Sequence, residues 1–483
     1  MRSICYTLLI AAMCLFFALL LPACSHKSAQ ENSNELPPIF PDYTAVTIPP
    51  NIAPLNFMVE DAHHVYAAFY IKGALQHEVR GKQKIQIREE EWKQLLAQAL
   101  GGEIEITVSV WNDKHPEGVS YRPFTIQIAK EEIDPWIAYR LIPPGYEQWN
   151  HMGIYQRCLS NFEEKPVFTN EQNEKGCVNC HSFHQYNPNH FMLHVRGKHG
   201  GTLLKTDDKI QKLAFEELSP NKSGSYPFWH PSGRYIALSS NTTRQSFYHY
   251  SKDKIEVYDL RSDLLIYDCL EHRMLADPRF NEETNWETFP AFSPDGKSLF
   301  YCTATAVQLP VAYNKLKYAL CRVPFDADQF QLGATVDTLY NPMTRGGSAS
   351  FPRISPDGRY LMYTEASCAT FPIHHKEADL RILNLETGDE INCAVLNSND
   401  ADSYHAWSSS GNWILFSSKR IDGRYTRLFI AHMDSKGNIG KPFLLPQQDP
   451  MHNAQRLYAY NIPEFISGEV TLAQDEAAEL FSH

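Results

Sequence analysis

Two things are missing from most of this chain. Past residue 23 no apolar run is long enough to span a bilayer, and nowhere do basic residues gather into a run. The first absence leaves no candidate for a membrane-spanning helix in the body of the chain. The second, with a formal net charge of −12, removes the electrostatic footprint of a nucleic-acid binder. A G-x-S-x-G nucleophile elbow is also absent, and with it the mark of an appended serine hydrolase domain. Charge itself is almost missing from the first 23 residues, where Arg2 stands alone.

What fills that first stretch is an apolar run, LLIAAMCLFFALL, from Leu8 to Leu20, closed by LPAC at Leu21 to Cys24. The run is as long as a signal-peptide core and short for a spanning helix. Leu, a small residue and then Cys resembles the lipobox of bacterial lipoproteins. The resemblance implies cleavage before Cys24 and a lipid on Cys24, so residues 1–23 are expected to be a signal peptide. Residues 24–44 are polar and bounded by proline, and are expected to be a flexible tether. Ser25 follows the lipid site where some bacteria use Asp to retain lipoproteins at the inner membrane. The expected location is therefore the cell envelope, lipid-anchored at the outer membrane, on its periplasmic or outer face.

Aromatic residues make up 12% and hydrophobic residues 43% of the chain, enough for packed cores in two or three domains. Eleven cysteines fit an oxidising compartment. Two lie in the signal peptide, one is Cys24, and Cys177 and Cys180 form a motif. The remaining six (Cys158, Cys269, Cys302, Cys321, Cys368 and Cys393) allow three disulfides or sit as free buried thiols.

The second half repeats itself. YPFWHPSGRYIALSSN from Tyr226, FPAFSPDGKSLFYC from Phe289, FPRISPDGRYLMYTEA from Phe351 and YHAWSSSGNWILFSSK from Tyr404 share one plan. Each is an apolar strand, a tight turn and a second apolar strand. The turns end at Gly233, Gly296, Gly358 and Gly411, spaced 63, 62 and 53 residues apart. Each interval holds four short strands, the period of a β-propeller blade, and closing such blades into a ring removes exposed edges. The hairpin resembles the repeat of TolB-like propellers. This implies a propeller of five or six blades over residues 190–465, followed by a tail, 466–483. Residues 45–145 carry strand-like runs such as HVYAAFYIKG and IEITVSVWN with one short helix candidate, EEEWKQLLAQAL. They predict a β-sandwich-like domain, making the whole chain all-β.

Between the halves, in a segment covering 146–200, lies GCVNCHSFH. Cys177, Cys180 and His181 spell C-x-x-C-H, the attachment signature of c-type haem. Two thiols add across the haem vinyl groups, and the adjacent imidazole binds iron. Zinc is the alternative, with two further ligands from nearby histidines such as His184, His190, His194 and His199, and a plain disulfide is a third. In HFMLHVR, a strand would turn Met192, His194 and Arg196 to one side. His194 or Met192 is then the expected sixth iron ligand, Met152 a more distant one, and Arg196 a partner for a haem propionate.

The TIPPNIAPLNF start, the haem motif and FMLHVRGKHGGTLL together resemble a family of Bacteroidetes lipoproteins that join TolB-like repeats to one C-x-x-C-H motif. The resemblance implies a membrane-anchored haem c protein with a propeller, passing electrons to a redox partner or sensing redox state. The other expectation is a non-catalytic propeller that binds an envelope protein or a glycan, with structural haem or zinc at the motif. Neither reading involves nucleic acid, and neither assigns a catalytic residue.

Overall fold

The computed structural model describes residues 28–143, 151–213, 215, 224–247 and 255–482. Cys24, the expected lipid site, lies outside them. The fold is nearly all β. No helix among the described residues is long and apolar enough to cross a membrane.

The N-terminal domain is a seven-stranded sheet built around His64–Ile71 and Glu103–Trp111, which pair antiparallel from His64 opposite Trp111 to Tyr70 opposite Glu105. Burial alternates along Glu103–Trp111, as expected where one face of a sheet is covered. The cover is thinner than a second full sheet. It is the helix Glu89–Gln98, which buries Trp92, Leu95 and Leu96 at helical spacing, with a two-stranded ribbon of Phe57–Met58 and Lys84–Ile85. The Trp92 indole donates to the Ile52 carbonyl at 3.0 Å.

The segment expected to be a flexible tether lies against this domain over its described part. Glu31–Asn32 pairs in parallel with Val119–Ser120, and Ile39 and Tyr43 are buried. The few apolar side chains scattered among its polar ones are what fix it there.

The rest of the chain forms six blades around an axis. Blade 2 is Val178–Phe183, His190–Val195, Gly201–Thr206 and Lys209–Leu213, from the axis outward. Blades 3 to 6 begin with the inner strands Ser225–Trp229, Asn285–Phe292, Ser348–Ile354 and Asp402–Trp407. Blade 1 is composite. Its inner strand is Ala459–Ile466, from the C-terminal end of the ring, paired antiparallel with Trp136–Ile142, which leads to Gly153–Cys158 and Glu164–Thr169.

The boundaries therefore move from those the sequence suggested. Trp136–Ile142, placed with the sandwich, and most of the segment placed around the haem motif are blade strands, and the ring runs from 136 to 466. Blade 1 carries no inner hairpin turn, because its strands come from both ends of the ring. The repeat pattern that announces the other blades is thus absent from it.

The four repeat turns occupy one position, between the first and second strands of blades 3 to 6. Gly233, Gly296, Gly358 and Gly411 have φ of 72°, 73°, 76° and 75°, and each N–H donates to the residue three earlier at 2.8–2.9 Å. That left-handed φ favours glycine. All eight described cysteines are free thiols, most of them buried in blade cores.

Candidate functional site: the propeller axis

Each inner strand carries the same irregularity. Ile462, Cys180, Tyr226, Phe289, Phe351 and Tyr404, in blades 1 to 6, all have positive φ, between 30° and 54°. The ladder to the neighbouring strand slips in register within a residue or two of all six positions, as between Asn179 and Ser182, Ser225 and Phe228, or Ser350 and Arg353. A non-glycine residue in the left-handed region is strained, and its recurrence in six blades marks a bulge built into the repeat. The bulge turns side chains toward the axis. Phe289 and Phe351 lie 4.0 Å apart between centroids, Phe351 and Tyr404 4.8 Å. Tyr226 of blade 3 reaches Phe351 of blade 5 at 5.9 Å. Aromatic rings thus plug the middle of the channel.

This ring reinterprets the cysteine motif. Aligned on the bulge, the inner strands read Ile462-Pro463-Glu464-Phe465, Cys180-His181-Ser182-Phe183, Tyr226-Pro227-Phe228-Trp229, Phe289-Pro290-Ala291-Phe292, Phe351-Pro352-Arg353-Ile354 and Tyr404-His405-Ala406-Trp407. Cys180 takes the plug position. His181 takes the proline position, as His405 does in blade 6. Only Cys177, just before the strand, has no counterpart in the repeat.

His181 turns toward blade 1, with its Nε2 3.5 Å from a Glu464 carboxylate oxygen, and its side chain is 1% exposed. Neither ring nitrogen makes a hydrogen bond of good geometry. Burial, with the Arg140 charge nearby, pushes this imidazole down to about 3, so it is neutral. Burial raises the Cys177 thiol, against the opposing pull of Arg140 and Arg196. Arg196 donates to the Ser225 hydroxyl at 3.1 Å, and its backbone N–H donates to the Cys177 carbonyl at 2.8 Å.

Met192 is fully buried in the core shared with blade 3, among Trp229, Ile236 and Leu238. His194, in register with Asn179, lies on that same face of its strand. Its Nδ1 is 3.0 Å from the Thr202 hydroxyl, and burial pushes it down to about 3. Met152 is buried near Asn170 in blade 1. Met192 and His194 therefore face the opposite side of blade 2 from His181, and Met152 lies in blade 1.

Haem c requires two thiols, an imidazole free to bind and room for a macrocycle beside them. The first two are present. Room is not. The channel cavity, about 420 Å³, is bounded by Ser182, Phe183 and the equivalent residues of the other five blades, past the plug and away from Cys177. At about 3.3 Å per residue, Cys177 is roughly 15 Å from that cavity along the strand. Haem c on Cys177 and Cys180 would need room other than this cavity, with Cys180 and His181 drawn out of the inner strand Val178–Phe183, where both are buried. For zinc, no group of three or more His, Cys, Asp or Glu side chains is placed to hold a metal among the described residues.

The two ends of the channel differ. At the Cys177 end, the second and third strands of blade 3, Tyr235–Phe247 and Ile255–Asp268, run on past the blade as a hairpin. Glu256 on this hairpin meets His375 of blade 5 at 2.9 Å, reaching past blade 4, and both are about 1% exposed. Burial alone would lower the His375 pKa, but Glu256 and Glu377 outweigh it and raise it to about 9. Asp259 beneath the hairpin is fully buried and pushed up to about 7 by that burial, against the pull of Asn241 and Arg196. At the other end lies the cavity, walled by Phe183, Phe228, Trp229, Phe292, Trp407 and Phe465, with two charged residues, Arg353 and Glu464. Two hydroxyls at its rim are committed to structure, Ser409 donating to Asp134 at 2.5 Å and Ser293 to Asp295 at 2.6 Å.

Sequence reasoning missed Arg353 and Glu464. The signal for Arg353 was in the repeats, where it stands at the position of Phe228, Ala291 and Ala406. Glu464 shows itself only once Ile462-Pro463-Glu464-Phe465 is aligned as a further repeat.

No family model and no curated protein matches the chain. Solved structures do, at low identity. A Mycobacterium tuberculosis puromycin-hydrolyzing peptidase is 10% identical over 72% of this chain and 52% of its own, with a TM-score of 0.35. The β-propeller domain of the Trilobed protease from Pyrococcus furiosus is 9% identical over 70% and 78%, with a TM-score of 0.33. The β-propeller domain of Myceliophteria thermophila Cps50 (Swd1) is 11% identical over 76% and 96%, with a TM-score of 0.31. The chain spans about half the length of the peptidase.

Proposed function

We propose that this chain is a non-catalytic binding module of the cell envelope, held to a membrane by a lipid on Cys24, whose ligand enters the channel cavity of the propeller. The observation that carries this reading is the cavity. It lies on the axis, all six blades contribute to it, and its volume of about 420 Å³ falls in the range of small-molecule sites. Seven aromatic side chains line it, and two hydroxyls at its rim, of Ser409 and Ser293, donate to the carboxylates of Asp134 and Asp295.

A covalent haem on Cys177 and Cys180 with His181 on iron, and electron transfer or redox sensing with it, is the second reading. The buried His181 imidazole, with no hydrogen bond of good geometry, favours it. The two readings differ in what Cys177 and Cys180 carry, so one experiment separates them. The full chain is expressed with cytochrome c maturation factors and its membrane fraction purified. The binding reading expects no Soret band surviving denaturation and no mass gain at the motif. Haem bound at one equivalent would refute it in favour of redox function.

A further inference from the structure

We propose that the channel cavity takes a small carboxylate with an apolar or aromatic body, and that Arg353 holds the carboxylate. The inference rests on the binding reading above and names the ligand class for that same cavity.

Arg353 is out of keeping with its surroundings. At its place in the repeat the other inner strands carry Phe228, Ala291, Ala406, Ser182 and Glu464. Its guanidinium lies 5.2 Å over the Phe228 ring, and one nitrogen donates to its neighbour's carbonyl, that of Pro352, at 2.8 Å. Among the described residues no carboxylate comes within ion-pair distance of it. A half-buried guanidinium with no ion-pair partner in reach, whose planar fork keeps unused donors, is suited to a carboxylate. The remaining wall carries seven aromatic rings with proline, isoleucine and alanine between them, which suits an apolar or flat body.

Glu464 shares the cavity without opposing this. It accepts from the Phe183 N–H at 3.1 Å, and burial, against the pull of that N–H and of Arg353, pushes it up to about 7. That upward shift weakens, near neutral pH, both its pull on Arg353 and its repulsion of an anion.

The carboxylate could belong to a free acid or to the C-terminus of a peptide. Both are tested on the full chain by fluorescence of Trp229 and Trp407, which line the cavity, and by calorimetry. The free-acid probes are phenylacetate and indole-3-acetate against their amides. The peptide probe is Gly-Gly-Phe against its C-terminal amide. Acids are expected to bind about tenfold or more tightly than amides, the usual worth of a charge-assisted pair. Arg353→Met should abolish that preference, and Arg353→Lys should keep part of it, each with an unchanged circular dichroism spectrum. Equal binding of acids and amides, or an acid preference that survives Arg353→Met, overturns the carboxylate assignment while leaving the cavity a binding site. No binding of any probe below about 1 mM refutes both.

Discussion

Removing the strand Ala459–Ile466 should open the ring. This strand closes blade 1, pairing with Trp136–Ile142 on one side and packing against blade 6 on the other. Tyr460, Phe465 and Ile466 on it are 1%, 1% and 0% exposed. At about 1.5–3 kcal/mol for each large side chain, their burial contributes roughly 5–9 kcal/mol. Tyr460 also gives its carbonyl to the hydroxyls of Ser417 and Thr426, both at 2.8 Å, which would be left unpaired. A domain's whole margin is about 5–15 kcal/mol, so a chain ending at Leu457 should lose cooperative unfolding in guanidinium chloride. Ile466→Ala tests the same point gently. It should cost about 3 kcal/mol. With a slope near 6 kcal/mol per molar, the midpoint would fall by roughly 0.5 M. A synthetic peptide of residues 456–472 added to the truncated chain should restore part of the transition. A truncated chain that unfolds at the full-length midpoint would refute closure by this strand.

Cys24→Ala should leave the precursor uncleaved and without lipid, and mass spectrometry of the wild type should find a diacyl or triacyl group on Cys24. Cys177→Ser with Cys180→Ser should leave the propeller folded and cost little stability, because Cys180 occupies a plug position that a small side chain can hold; a collapse of the thermal transition would show that the thiols do more. The hairpin of blade 3 should loosen at high pH. His375 has its folded pKa raised to about 9, above the usual 6.5, so its contribution is full below pH 6.5 and is lost as pH rises through 9. Hydrogen exchange at Thr243–Phe247 and Ile255–Asp259 should therefore quicken, beyond its intrinsic base dependence, between pH 7 and 10. Glu256→Gln should produce the loosened state already at pH 7; equal protection in variant and wild type would remove the latch role.

Blades 3 to 6 were legible because each places its signal within a dozen consecutive residues: an aromatic strand start, a proline or serine turn and a glycine with positive φ. These are local requirements, met by residue type alone. Blade 1 was not legible for the opposite reason. Its inner strand and its other three are separated by some 290 residues of sequence, and the pairing of Trp136 with Ile466 is a fact about closure that no local pattern records. The described part of the expected tether was misjudged on composition. Polar residues dominate it, but the burial of Ile39 and Tyr43 and the strand pairing at Glu31–Asn32 seat it on the first domain.

The motif was the hardest case, because two local rules claim the same residues. C-x-x-C-H satisfies the chemistry of haem attachment, and Cys-His-Ser-Phe satisfies the geometry of a blade's inner strand. The sequence displays both and ranks neither. The ranking comes from position. An aromatic plug needs a side chain turned to the axis at a bulge, followed by a residue that packs toward the preceding blade. Proline fills that second place in four blades and histidine in two, His181 and His405. His405 has no cysteine pair beside it, is buried, and is pushed down to about 3 by that burial. A neutral, buried histidine thus fits this place in a blade, although His405 has the Met362 carbonyl at 3.2 Å as a partner and His181 has no such bond. The same comparison across blades leaves Cys177, Arg353 and Glu464 without a structural counterpart. Cys177 lies at the end of the channel covered by the hairpin. The other two lie together at the end with the cavity, and it is there that the repeat gives way to something other than its own packing.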